Sequence, residues 1–337
     1  MNESFNLEIL KEKLSGKRAL ITGGMGMLGS AVAHQLVKYN AKVTIVDSFI
    51  HPFGANYFNI EDIRDRIDIV TADIRDTDKL KILVKEKDLI FNFAGQVCHN
   101  DSIDDPLLDA DINYFGQLNV MENVRKYNCG AKMLFSGSRL QFGNILSNPV
   151  NEKHPLNPRT PYAFHKTVTE HMYRYFYEVH DIPTVVFRIS NPYGIRCQMK
   201  HSKYSIVNFF IRQAIENEII KVFGEGNQLR DYIFVEDLAS AFVLAAVNEK
   251  ANGEVFNVGS GIGTRFKDMV NLVVKIVAKG KIEYIPWPDH YLNVETGDYV
   301  TDISKISGMI GWVPSVSVEE GIEKTFLFYK KNGKHYF

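Results

Sequence analysis

Apolar residues along this chain fall in two kinds of pattern. Short runs rich in β-branched and aromatic residues recur: RALIT (18–22), KVTIVD (42–47), RIDIVTADI (66–74), DLIFNFAG (88–95), AKMLFSGS (131–138) and TVVFRIS (184–190). Between several of them, apolar positions return every three or four residues, most clearly near 27–39. Near-continuous apolar strands alternating with helices predict a parallel sheet covered on both faces, with right-handed crossovers. Leu7, Leu10 and Leu14 predict a short amphipathic helix ahead of the first strand.

After NPYG (191–194) the texture changes. A polar loop, GIRCQMKHSKY, precedes a helix near 205–217, and IIKVFGEG and LRDYIFVEDL lead to a helix ending about 248. GEVFNVGS reads as another buried strand, and the remainder mixes helices with the loop YIPWPDHYLNVETGDY. The expected organisation is α/β: a doubly wound sheet domain over 1–190, joined by segments near 232–260, and a smaller mixed α/β lobe over 191–337.

Composition narrows the reading. A chain of 337 residues, 45% hydrophobic and 23% charged, suits an ordinary globular protein of two coupled lobes. A formal charge of −1 gives no global field for nucleic acid or an anionic membrane, though a local basic pocket remains compatible. MNESFNLEILKEKL lacks the pattern of a signal peptide, and AFVLAAV (241–247) is too short to span a bilayer. Cys98, Cys129 and Cys197 show neither disulfide nor zinc spacing. No metal and a reducing cytoplasm are expected.

LITGGMGMLGS sets Gly23, Gly26 and Gly29 between the first strand and its helix. Such a turn lets backbone approach a pyrophosphate, and the helix N-terminus offers N–H groups to it. A glycine-rich turn without a ligand is the alternative. Asp47 ends the next strand, where a carboxylate accepts from adenosine ribose hydroxyls and repels a 2′-phosphate, which favours NAD over NADP. Asp73 and Ile74 follow the third strand, where an adenine would be clasped.

TPYAFHKTVTEHMYRYFYEVH reads as a helix with Tyr162 and Lys166 on one face. The pair is weak alone, but it follows the Ser138 strand by one loop. An ammonium and an oxidised nicotinamide would both lower the phenol's pKa and make Tyr162 a base for a sugar hydroxyl. Lys166 would also hold the nicotinamide ribose, and Ser138 would hydrogen-bond the same substrate oxygen. The plainer alternative is a helix packing its rings, with Lys166 in solvent.

With these residues assembled, the chain resembles the extended short-chain dehydrogenase/reductase family, in its Rossmann-type nucleotide-sugar epimerase/dehydratase branch, and is similar to UDP-glucose 4-epimerases. TGGMGMLG, with Gly23, Gly26, Met27, Leu28 and Gly29, matches the cofactor turn. NFAGQ, with Ala94, Gly95 and Gln96, resembles the segment lining the cofactor, and Asn113 a mostly structural asparagine. Ser138, Tyr162 and Lys166 fall on the catalytic trio. RISNPYG and GEGNQLRDYIFVEDL resemble two further signatures, whose Asn191 and Arg230 would hold the diphosphate of a nucleotide sugar; an ion pair of Arg230 with Asp231 is the alternative. Residues 295–312 also fit, with Ile310 where leucine is usual. The resemblance further implies a homodimer or higher homo-oligomer, with helices 113–127 and 162–180 as candidates for the interface.

Dehydratases of this branch carry an acid after the catalytic serine or threonine, and decarboxylases tend to. Here those positions are Arg139 and Leu140. Leucine exchanges no proton, so the expected reaction is epimerisation, most readily at C4 through a transient ketone. Three alternatives stand: a nucleotide-sugar 4-dehydrogenase, a dehydratase or decarboxylase using another acid, and a dinucleotide-sensing binding protein. Arg139 either pairs with a substrate phosphate or supports Glu152 or another acid, the structural role being preferred. His99, Cys197, His201 and Lys203 read as loop polarity more than substrate contacts.

Overall fold

The computed structural model describes residues 3–50, 54–288 and 295–337, with backbone alone for residues 3–7. Residues 51–53 of the loop at 51–60, residues 289–294 of the loop at 284–299 and the side chain of Leu7 therefore lie outside the described residues.

Seven strands make the main sheet: β1 (Arg18–Thr22), β2 (Lys42–Asp47), β3 (Ile67–Thr71), β4 (Leu89–Asn92), β5 (Lys132–Ser138), β6 (Thr184–Ile189) and, from the C-terminal half, Val255–Val258. All its pairings are parallel. The spatial order is Val255–Val258, β6, β5, β4, β1, β2, β3. The consecutive apolar positions have a plain cause: both faces are covered. Ala19 and Ile21 pack into a core shared with the helices Met27–Lys38 and Val235–Ala246, whereas Leu20 faces a second core shared with Gln117–Tyr127 and Pro161–His180.

A three-stranded sheet joins β7 (Asn191–Tyr193), Leu229–Phe234 and Gly263–Arg265, and a parallel pair joins Ile219–Phe223 to Lys281–Ile285. A third core, including Phe210, Ile211, Val270 and Ile322, lies under these elements. The main sheet's order reverses direction at β1, which pairs with both β2 and β4. Ligands of doubly wound sheets bind at the carboxyl ends of strands flanking such a switch. Among the described residues no helix is long and apolar enough to cross a membrane, and no cluster of His, Cys, Asp and Glu could hold a metal ion.

Candidate active site

A cavity of about 450 Å³ opens at that switch and runs toward the smaller sheets. At one end lie Gly23, Gly26, Met27, Leu28 and Gly29. Gly23 has φ +65°, and a Cβ there would stand 2.8 Å from the Ala94 nitrogen, so the crossing of β1 and β4 requires glycine. A Cβ on Gly29 would fall 2.4 Å from the Gly23 oxygen, because the helix start is pressed onto the turn. Gly26 caps the helix without a side chain, leaving first-turn N–H groups to face the cavity.

Asp47 lines the cavity and accepts from the Met25 and Phe49 backbone nitrogens at 3.1 and 3.0 Å. Burial raises its carboxyl pKa against the pull of those donors. Asp73 and Ile74 line the same end; the Arg75 guanidinium, 2.8 Å from Asp73, lowers the Asp73 carboxyl pKa. Ala94 and Gly95 also line it, but Gln96 does not. Its amide folds back to donate to the Cys98 carbonyl at 2.7 Å, so the side chain closes a turn instead of facing a cofactor. Asn113 donates to the Gln96 carbonyl at 2.8 Å, and its oxygen would lie 2.7 Å from a Cβ on Gly95, which accounts for that glycine.

Ser138 ends β5, and the chain turns at once into a short 3-10 helix, Arg139–Phe142. The serine oxygen accepts from the Leu140 nitrogen at 3.2 Å, capping that turn. The Ser138 N–H donates to Gln141 at 2.7 Å, Gln141 donates to Glu170 at 2.8 Å, and Arg188 donates to Glu170 at 2.9 Å. A buried polar chain thus ties the serine to the Pro161–His180 helix.

That helix begins where it does because Thr160 accepts from the Ala163 nitrogen and Pro161 occupies the first position. Its first two turns aim Tyr162 and Lys166 into the cavity, with 8% and 3% exposure. Lys166 donates to the Ser136 carbonyl at 2.9 Å, and burial brings its ammonium down to about 8. Burial pushes the Tyr162 phenol up, opposed by its hydrogen bond with Ser138. The protein alone therefore does not activate this phenol; desolvation outweighs the lowering expected from Lys166, whose nitrogen is 5.8 Å from the ring centre.

The far end differs more from expectation. Asn191 lines the cavity, but Arg230 does not. The Arg230 guanidinium is ion-paired with Glu295, not with Asp231, and donates to the Leu229 and Gly297 carbonyls at 2.8 and 2.9 Å. Asp231 instead accepts from the Ser260, Gly261 and Thr301 backbone nitrogens. Arg139 does line the cavity, where it donates to the Asn191 oxygen and the Thr296 hydroxyl, each at 3.0 Å, above the Tyr299 ring. It makes no ion pair among the described residues, and Glu152 accepts from the Asn257 nitrogen. The preferred structural role for Arg139, supporting an acid, is therefore not what the fold builds. Burial, and then the Arg230 charge, bring the Arg139 guanidinium down to about 10.

Other lining residues carried little sequence signal: Ser190, Ser205 and Tyr232 are buried, and none of their hydroxyls has a hydrogen-bond partner among the described residues. Burial, reinforced by the Arg139 charge, lowers His99 to about 4, so it is neutral near neutrality. Cys197 is a buried wall residue, Lys203 lines the cavity and pairs with Asp101 at 2.6 Å, and His201, not itself in the lining, contacts the lining residue Gln198. The only carboxylates among the lining residues, Asp47 and Asp73, belong to the glycine-turn end.

Residues 20–325, which carry the glycine turn, Asp47 and the trio, match a family model described as GDP-mannose 4,6 dehydratase. The chain belongs to this family. It is a nucleotide-sugar epimerase/dehydratase family of the extended short-chain dehydrogenase/reductase class, and its members act in several ways. A putative UDP-glucose 4-epimerase of Methanocaldococcus jannaschii is 31% identical, over 94% of this chain and 99% of that protein. A UDP-N-acetyl-alpha-D-glucosaminuronate decarboxylase of Bacillus cytotoxicus is 28% identical, over 94% and 98%. The structure of an epimerase from Methanothermobacter thermautotrophicus superposes with a TM-score of 0.92 at 26% identity, over 99% of this chain and 98% of that one. UDP-glucose 4-epimerase of Thermotoga maritima with UDP-glucose gives 0.86 at 27% identity, over 94% and 99%.

Proposed function

We propose that this family member is an NAD-dependent nucleotide-sugar epimerase that inverts C4 of the sugar through a transient 4-ketone. One observation carries the reading: the trio lines a cavity in which no carboxylate among the described lining residues stands at the serine end. Elimination needs a proton donor beside the leaving group, and at the acid positions Arg139 and Leu140 offer a cation and a hydrocarbon.

The residues fit the cofactor. Gly26 leaves the helix N-terminus open to a pyrophosphate, Asp47 suits ribose hydroxyls, Asp73 and Ile74 suit the adenine, and Ala94 and Gly95 present backbone without bulk. NAD supplies the hydride acceptor and donor for C4. Tyr162 takes the C4 hydroxyl proton and later returns it. Ser138 donates to the C4 oxygen as it becomes a carbonyl, held by its cap on the Leu140 nitrogen. Lys166 would hold the nicotinamide ribose, and its charge, with the positive charge the oxidised ring would supply, would offset the desolvation that keeps the phenol neutral. Met27 and Leu28 line the same end and would pack against the cofactor there.

The likeness to the Thermotoga maritima enzyme with UDP-glucose supports a nucleotide-diphosphate sugar as substrate. Homodimerisation is part of the same proposal. Phe115 and, on the Pro161–His180 helix, Phe164, Tyr175 and Val179 are exposed apolar side chains that a partner would cover. The deciding experiment is incubation with UDP-, GDP-, CDP- and dTDP-sugars. NMR should show C4 inversion without added oxidant and without net NADH; loss of water or carbon dioxide by mass spectrometry would refute the reading.

A further inference from the structure

The serine end of the cavity handles proton chemistry, but the charge balance on the wall that leads from it to the smaller sheet points elsewhere. Arg139 is the guanidinium on that wall that carries no ion pair among the described residues. Asn191 and Thr296 hold its Nε and Nη1, the Tyr299 ring lies 5.3 Å from its carbon, and its Nη2 makes no hydrogen bond among the described residues. Two neighbours fix its plane while one edge stays uncommitted. Tyr232 adds an independent sign. It is 4% exposed, lines the same cavity, lies within the influence of both the Arg139 and Arg230 charges, and its hydroxyl has no partner among the described residues. A buried hydroxyl without a partner, beside a half-buried cation with one edge uncommitted, calls for a ligand oxygen.

Arg230, by contrast, is already neutralised by Glu295 and spends Nη1 on two carbonyls. Asn191 and Tyr232 are register partners across β7 and Leu229–Phe234, so the two side chains and Arg139 meet at the edge of the smaller sheet. The reacting carbon belongs at Ser138 and Tyr162. In a hexose, C4 lies across the ring from C1, the carbon that bears the diphosphate. Arg139 adjoins Ser138 in the chain and bonds to Asn191 of the smaller sheet, and the diphosphate is the anion that a nucleotide sugar presents beyond the reacting ring.

We propose that Arg139, with the Tyr232 hydroxyl, receives the diphosphate of the nucleotide sugar, and that Arg230 supports this wall from behind. The inference rests on the nucleotide-sugar reading above, and the test separates the two. Wild-type enzyme is first titrated with UDP, GDP, CDP and dTDP by calorimetry; binding of none refutes the nucleotide-sugar reading itself. With the diphosphate that binds, Arg139→Gln is expected to weaken affinity roughly 10- to 100-fold, the range of a lost charge-assisted hydrogen bond, and to leave the corresponding nucleoside unchanged. Arg230→Gln is expected to weaken it less. Arg139→Lys, which keeps the charge but not the fork, should lose about 5- to 10-fold and serves if the glutamine variant does not fold. Unchanged diphosphate affinity in a folded Arg139 variant overturns the assignment. So does a loss confined to a UDP-hexuronate, which would place the ligand anion on the sugar.

Discussion

Replacing Glu170 with alanine tests how the fold holds the catalytic serine. Glu170 is fully buried and faces Arg188, which is 5% exposed, through paired contacts. Removing one member of a buried pair leaves an uncompensated charge and costs about 3–5 kcal/mol. At about 2.1 cal/mol/K per residue, unfolding entropy for this length is about 0.7 kcal/mol/K, so Tm should fall by about 4–7 °C. Glu170 also accepts from Gln141, which in turn accepts from the Ser138 N–H. Loss of that chain should lower kcat beyond what the lost folded fraction explains. A companion variant, Glu170→Met with Arg188→Met, removes both charges and should recover most of the Tm, because paired apolar replacement is often neutral. Its kcat should stay low, since Gln141 still lacks its acceptor. Calorimetric unfolding and steady-state rates read both quantities. A Tm fall below about 2 °C for Glu170→Ala, or a double variant no more stable than the single, would refute the reasoning.

Other expectations follow from the same contacts. Tyr162→Phe should lower kcat roughly 100- to 10,000-fold while nucleoside diphosphate affinity, measured by calorimetry, is unchanged; near-normal turnover would remove the phenol from the mechanism. Burial lowers the folded-state pKa of Lys166 to about 8 from 10.5, so between these values the unfolded chain binds more protons and stability of the apoprotein should rise with pH. Lys166→Met should flatten part of that rise in a pH series of denaturant midpoints, Lys132 supplying a similar share; an unaltered slope would show that Lys166 is not held desolvated. Phe164 is 55% exposed, and Phe164→Glu should convert a dimer to monomer by light scattering after gel filtration; a wild-type monomer at micromolar concentration would refute the interface.

What the sequence by itself determined was local. Strand runs, the glycine turn and the four-residue spacing of Tyr162 and Lys166 were legible because each arises within one turn or one strand, where periodicity and sterics act between near neighbours. Pairing was legible only through the family likeness, and there it was incomplete. Nothing near Arg230 in the chain announces Glu295, 65 residues on, and nothing near Arg139 announces Thr296, 157 residues on. Gln96 matched a cofactor segment, yet its amide turns back on Cys98. Tyr232 is, in the sequence, one aromatic within a strand run; only the fold leaves its hydroxyl without a partner among the described residues. Only the tertiary structure decided which arginine is neutralised and which faces the cavity, because the charge state of a wall depends on groups brought together from distant strands and on how much water their packing removes.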